Sequence, residues 1–218
     1  MSSQFPNGTI FAVSTALGAP ITVTDISNAD PAVASSATPP ADDSIVLIAS
    51  NWPDLVDRVA KTDLADSDSF ALLGIDTTDT VRFEAGEGEG TVRVVTSWVN
   101  LSQVRETTKA GGEQQYFTWQ YLEDRSGRQR QRKTFKNAKS INILLDYDPA
   151  LAWYESLSDL DEAGELCVLR ATLPNGAQLF YAVDVAFDDD PTLTMNENMT
   201  NAATFSLNSK MTRYEAAP

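Results

Sequence analysis

The sequence predicts a mainly β protein, a sandwich or barrel-like subunit with one flanking α-helix. Strand-length runs rich in β-branched and aromatic residues recur along the chain, separated by Gly, Pro and Asn turn signals. Only the stretch after Asp148-Pro149 joins helical periodicity to start and stop signals. No run is long enough to span a bilayer, and 218 residues suffice for one well-buried core. The expectation is a single domain over residues 1–218, with long loops at about 28–44 and 103–115.

Residues 9–15 and 21–26 read as two short strands joined at Leu17-Gly18-Ala19-Pro20, a hairpin signal. Residues 28–44 are rich in Ala, Ser and Pro and carry little apolar surface, so this loop is either disordered or committed to a partner. The run Ser44-Ile45-Val46-Leu47-Ile48-Ala49 suits a strand covered on both faces. Trp52-Pro53-Asp54 turns the chain, and residues 55–60 fit a helical turn or a strand start equally well. Phe70-Ala71-Leu72-Leu73 and Val81-Arg82-Phe83 are strand-like.

Residues 91–101 form the clearest strand, and residues 116–122 a second, with Phe117, Trp119 and Tyr121 on one face. Between them, residues 103–115 hold Gly111-Gly112 and almost no large apolar side chain after Val104. They read as a loop that is mobile in an isolated subunit. In the helix, Asp148 is the expected N-cap, Pro149 the first helical residue and Gly164 the stop. Leu151, Tyr154, Leu157 and Leu160 share one side, with Trp153 beside them. Residues 166–173 and 178–187 flank the hairpin signal Pro174-Asn175-Gly176. Residues 192–207 alternate weakly, as a solvated or interface strand would.

Composition excludes several function classes. The balance of 16 basic against 31 acidic residues, a net charge of −15, disfavours nonspecific adhesion to nucleic acid or anionic membrane. Histidine is absent, which removes Ser-His-Asp and Cys-His nucleophile systems and the commonest zinc ligand. Cys167 is the only cysteine, in apolar company that suggests a buried thiol. Gly86-Glu87-Gly88-Glu89-Gly90 precedes a strand and carries two carboxylates, so it reads as a turn and not a phosphate cradle. Asp63, Asp66, Asp68 and the triplet Asp188, Asp189, Asp190 lack the spacing of a calcium loop and read as solvated carboxylates. No catalytic, cofactor-binding or metal site is assigned, and no enzyme activity.

One segment stands out. Residues 125–139 hold 7 of the 16 basic residues and no acidic one, leaving 9 basic against 31 acidic residues elsewhere. In an extended chain Arg128, Arg130 and Arg132 would share a face. Three readings are open: a solvated hairpin tip, a nucleic-acid contact, or a basic patch docking on acidic loops of an identical neighbour. The third makes Arg125, Arg128, Arg130, Arg132 and Lys133 candidate interface residues, with Asp188, Asp189 and Asp190 opposite them.

Several further stretches carry a family resemblance in order along most of the chain. They include Gly8-Thr9-Ile10-Phe11-Ala12, Asp25-Ile26-Ser27-Asn28-Ala29-Asp30-Pro31 and Phe70-Ala71-Leu72-Leu73-Gly74-Ile75-Asp76-Thr77. Gly111-Gly112-Glu113-Gln114-Gln115, Leu122-Glu123-Asp124, Leu173-Pro174-Asn175-Gly176, and Asn196-Glu197-Asn198-Met199-Thr200 with Thr204-Phe205-Ser206 complete the set. Together they resemble the tail tube (major tail) proteins of long, non-contractile-tailed bacteriophages. The resemblance implies hexameric rings stacked into a hollow tube, with one sheet of each subunit joining its neighbours in a continuous inner β-barrel. It also implies a tape-measure protein and tail-tip and terminator proteins as partners, assembly in the host cytoplasm, residence in the virion tail, and DNA passing without specific binding. In that setting Thr107, Thr108, Lys109, Gly111, Gly112 and Glu113 become candidates for an inter-ring loop that orders on assembly. The rival readings are a monomeric carbohydrate-binding sandwich with Trp98, Trp119 and Tyr121 as a sugar platform, and a tube protein of a contractile or secretion apparatus.

Overall fold

The structure, a computed structural model, describes residues 5–216. Seven strands lead to the long β8: β1 (Ile10–Leu17), β2 (Ile21–Val23), β3 (Asp25–Ile26), β4 (Ala32–Ser35), β5 (Ile45–Ser50), β6 (Arg58–Asp63) and β7 (Ser69–Leu73), then β8 itself (Gly90–Leu101). There follow β9 (Val104–Gly111), β10 (Gln114–Trp119), β11 (Arg130–Lys136) and β12 (Lys139–Asp146). Helix α1 (Ala152–Ala163) precedes β13 (Cys167–Thr172), β14 (Gln178–Phe187), β15 (Thr200–Leu207) and β16 (Thr212–Tyr214).

β8 belongs to two sheets. Its first half pairs with β2 and β5, its second half with β1, all antiparallel. From the first half the ladder runs β8-β5-β6-β7-β4-β3. Only Thr24 separates β3, the last strand of this path, from β2, which pairs with β8. Val23, Ile26, Val46, Ile48, Phe70, Leu72 and Val92 of these strands are buried together. Trp52 and Phe83 join the same cluster edge to face at 5.3 Å, with the Trp52 indole N–H donating to the Glu84 carbonyl at 3.0 Å.

From the second half the sheet continues β8-β1-β13-β14-β15-β12-β9. Successive residues of its strands go to opposite faces. On one face Cys167, Leu169, Tyr181 and Val183 meet the helix residues Trp153 and Leu157 in a single cluster. On the other, Val168, Phe180 and Ala182 pack against Leu47, Val59 and Val95 of the first sheet. That second contact makes the sandwich.

The C-terminal strand ties the two sheets by hydrogen bonds. The Tyr214 hydroxyl accepts the Lys61 N–H and donates to the Leu73 carbonyl, both at 2.7 Å. Thr212 donates to the Val59 carbonyl at 2.7 Å and Ser209 to that of Asp57 at 2.6 Å.

Several sequence expectations need correction. β1 and β2 do not form a hairpin; both lie along β8, and the linker is pinned there by Gly18 N–H donating to the Val94 carbonyl at 2.7 Å. Residues 28–44 are not one loop, because β4 pairs with β7 and buries Ala32 and Ala34. Residues 103–115 are not a loop either, since they contain β9 and the start of β10. Val81-Arg82-Phe83 is a turn in which the N–H groups of Arg82 and Phe83 donate to the Asp79 carbonyl. Of residues 192–207 only β15 is a regular strand, and it is central and buries Ala203 and Phe205. The helix starts three residues later than expected: Asp148 accepts the Ala150 N–H at 3.1 Å in a turn, and Leu151 is extended before Ala152 begins the helix. Its stop is as expected, with Gly164 left-handed and donating to the Leu160 carbonyl.

Replacing Tyr214 by Phe leaves the Lys61 N–H and the Leu73 carbonyl without their partner. It is expected to cost about 1–3 kcal/mol, read as a lower urea midpoint with an unchanged slope.

Candidate functional site

β9 and β12 pair over most of their length, and the same hairpin continues past the sheet as β10 and β11. The crossing is held by Gly112 N–H donating to the Ala138 carbonyl at 3.2 Å and Asn137 N–H to that of Glu113 at 3.0 Å. Beyond it β10 pairs with β11 alone, and every residue of β11 is exposed. The result is a two-stranded arm.

An isolated two-stranded ribbon is marginal in water, so the arm needs side-chain packing. Register supplies it: Trp119 lies opposite Arg130 and Phe117 opposite Arg132, placing all four on one face. Phe117 and Trp119 stack at 5.8 Å, and the Arg130 guanidinium lies 5.2 Å from the Tyr121 ring centroid. Such contacts contribute about 0.5–1 kcal/mol each at exposed sites. Arg130 also approaches Asp124 at 3.9 Å.

The expected face of Arg128, Arg130 and Arg132 is formed in part. Arg130 and Arg132 share it, whereas Arg128 and Arg125 lie in the preceding loop, and Lys133 pairs with Tyr116 on the other side. The aromatic members of the arginine face were visible in the sequence as a stripe. Their pairing with the basic strand depended on a register that local sequence does not encode.

The acidic residues gather at the far end of the same hairpin. β12 runs from Lys139 at the arm to Asp146, roughly 23 Å of strand. At the Asp146 end an open hollow of 480 Å³ is bordered by Asp146, Asp148 and Glu197, with Gln103 and Tyr147. Asp188, Asp189 and Asp190 follow β14 there, all exposed. Their backbone is fixed, since Asn201 donates to the carbonyls of Asp188 and Asp189 at 2.9 and 3.1 Å and Tyr154 to that of Asp189 at 2.9 Å. The basic and acidic candidates therefore stand at opposite ends of one sheet, out of each other's reach.

The residues expected to form an inter-ring loop are placed differently. Thr107, Thr108, Lys109 and Gly111 belong to β9, and only Gly112 and Glu113 lie at the crossing to the arm. β9 has a neighbour on one side only, and all its residues after Val104 are exposed. A polar strand lacks the apolar alternation that marks half-buried strands, which is why it read as a loop. The sugar platform is not assembled: Trp98 packs edge-on to Phe180 at 6.2 Å beneath Arg170, away from Trp119 and Tyr121 on the arm.

Among the described residues no group of three or more Asp, Glu or Cys is arranged to hold a metal ion. Burial, with a smaller contribution from Asp184, pushes the Cys167 thiol up to about 12, which leaves it unreactive as a nucleophile near neutral pH. The arrangement offers surfaces for association.

A family model described as phage tail tube protein, TTP, matches residues 50–216. Among solved structures, a chain of the virion of a native gene transfer agent particle is similar with a TM-score of 0.41 and 12% identity, over 54% of this chain and 88% of that one. A chain from the tail of an empty gene transfer agent particle, computed with helical refinement in C6 symmetry, gives a TM-score of 0.42 and 11% identity over 55% and 87%. No curated protein matches.

The arm's attachment is testable at Gly111. Its φ is +75°, and a Cβ there would collide with the Ala138 carbonyl oxygen. Gly111→Ala is expected to cost at least about 1–2 kcal/mol and to speed amide exchange in residues 113–136 while the sandwich core stays protected. Unchanged exchange in the arm would show that the crossing tolerates a side chain.

Proposed function

Because this chain belongs to the phage tail tube protein family, a structural family of the virion tail and not an enzyme class, we propose that it assembles with itself into hexameric rings stacked as the hollow tube through which the genome leaves the particle. It acts in this reading as one domain, with a tape-measure protein and tail-tip and terminator proteins as its other partners.

The observation that carries the reading is the polarity of the β9–β12 hairpin. An exposed arginine and aromatic arm overhangs one end of the sheet and carboxylates crowd the other, where Asp146 has only a loose 3.5 Å contact with Arg105. A patch that cannot meet its complement within one chain makes a head-to-tail contact between chains, and such contacts close into rings or propagate as filaments. Arg125, Arg128, Arg130, Arg132 and Lys133 of one copy are assigned to Asp188, Asp189 and Asp190 of the next. The free side of β9 supports the same reading. Its unpaired N–H and C=O groups are a template for a neighbour's strand, and a closed inter-subunit barrel would satisfy them. A subunit of net charge −15 suits a conduit, because carboxylates along the wall repel DNA phosphates and form no lasting contact.

Electron microscopy of the purified chain, and of tails from particles carrying it, is expected to show stacked rings of six. A strictly monomeric chain absent from tails would overturn the reading. Reversing Arg128, Arg130 and Arg132 to Glu is expected to abolish tubes while circular dichroism and urea unfolding stay as in the parent; normal tubes from that variant would show the arm to be merely solvated. Amide exchange across β9 is expected to slow on assembly, and equal rates in free chain and tube would remove β9 from the interface.

A further inference from the structure

Helix α1 covers only part of its sheet face. The rest is an open groove of 580 Å³ whose floor includes Phe11, Ile141, Leu179 and Tyr181. β9 forms its rim: Lys109 and Thr107 pair with Ile141 and Ile143 and so stand on the floor's side of the sheet, with Arg105 at the adjoining irregularity. Arg105 makes one loose contact, at 3.5 Å, with Asp146. Glu106 borders the groove and also a smaller hollow with Thr108 and Asn142. Tyr181 is 6% exposed. An apolar floor and a cationic rim call for an occupant that is aliphatic and acidic.

The chain carries such a segment on another surface. Residues 188–199 contain no basic residue, hold Asp188, Asp189, Asp190 and Glu197, and present Leu193 and Met195 at 74% and 87% exposure. Met195 stands in a turn, where the Glu197 N–H donates to the Thr194 carbonyl at 3.3 Å and Asn196 has a φ of +65°, so the segment doubles back and holds both side chains in solvent. The segment is tied at its base by the Thr192 and Thr200 bridge, and neither apolar side chain lines the groove of its own chain. Two other exposed apolar tips fit less well: Leu64 stands alone among Asp63, Asp66 and Asp68, and Val81 adjoins Arg82.

We propose that the groove beneath β9 seats residues 191–199 of a second copy, with Leu193 and Met195 on the floor and Glu197 against Arg105 and Lys109. Methionine's flexible thioether suits an irregular floor. The two surfaces differ, so the contact is heterologous and each copy has one of each to offer its neighbours. The inference rests on the tube reading and adds a second contact to it, separate from the arm.

The test places a photoactivatable label on the cysteine of a Met195→Cys chain and assembles it with isotope-labelled chains of the parent sequence. Cys167, buried and with its thiol pushed up to about 12, is expected to stay unlabelled. Crosslinks from the label to residues 104–109, 139–143 or 178–181 of isotope-labelled copies, present in assembled material and lost in the dispersed chain, are the expected result. Tubes that form with the label crosslinking only within its own chain, or outside the groove, would overturn this contact and leave the tube reading standing. Absence of any assembly by the unlabelled parent would overturn both. As an independent measurement, Lys109→Glu is expected to reduce those crosslinks several-fold and Lys109→Arg to keep them; equal yields from the two variants would overturn the charge pairing and with it the seat.

Discussion

β8 must satisfy three hydrophobic clusters at once, and the rest of the fold follows from how it does so. Its first half sends Val92 into the cluster formed with β2 to β7, Val95 faces the contact between the sheets, and Leu101 joins the cluster under the helix. One strand of twelve residues thereby carries two sheets without a flexible joint. Tyr214 and Thr212 bond the second sheet to β6 and β7 from the other side. With the sandwich held at both places, the hairpin that follows β8 can extend beyond the sheet and still have a fixed direction.

The distribution of charge builds on that rigidity. A basic arm on a loose tether would fold back onto the carboxylates of its own chain, since the Debye length at physiological salt is only about 8 Å but a tether allows direct contact. Here β12 is paired on both sides, by β15 and β9, and separates the two charged ends. The pairing that stiffens β12 keeps the basic arm and the carboxylates at its far end apart within the chain. Family membership accounts for a need of this kind, because a tube protein must prefer its neighbours to itself.

Local chemistry was legible in the sequence where a few adjacent residues decide the outcome. Pro174-Asn175-Gly176 marked the β13–β14 turn, Gly164 the helix stop, and the run around Val46-Leu47-Ile48 a strand with both faces covered. Partner choice was not legible. β1 and β2 read as a hairpin because nothing near Gly18 reveals that β8, more than seventy residues later, is long enough to pair with both. β9 and β15 failed for opposite reasons: β9 is a polar strand that never needed apolar alternation, and β15 is a central strand whose Asn and Thr residues disguised the buried Ala203 and Phe205. The basic segment was recognised from composition alone, but the aromatic face that organises it required the register of β10 on β11.

The open strand edges bear on how the chain meets its neighbours. Edge strands are where β proteins aggregate. β4, β5, β6 and β7 are each paired on both sides, while in the other half the long unpaired side belongs to β9, bent at Gly111 and Gly112 and carrying Arg105, Glu106 and Lys109. Charged residues and a bend are the usual guards against indiscriminate strand pairing. The long edge of the large sheet is thereby guarded, and β11 in the two-stranded arm carries Arg130, Arg132, Lys133 and Lys136 along its own.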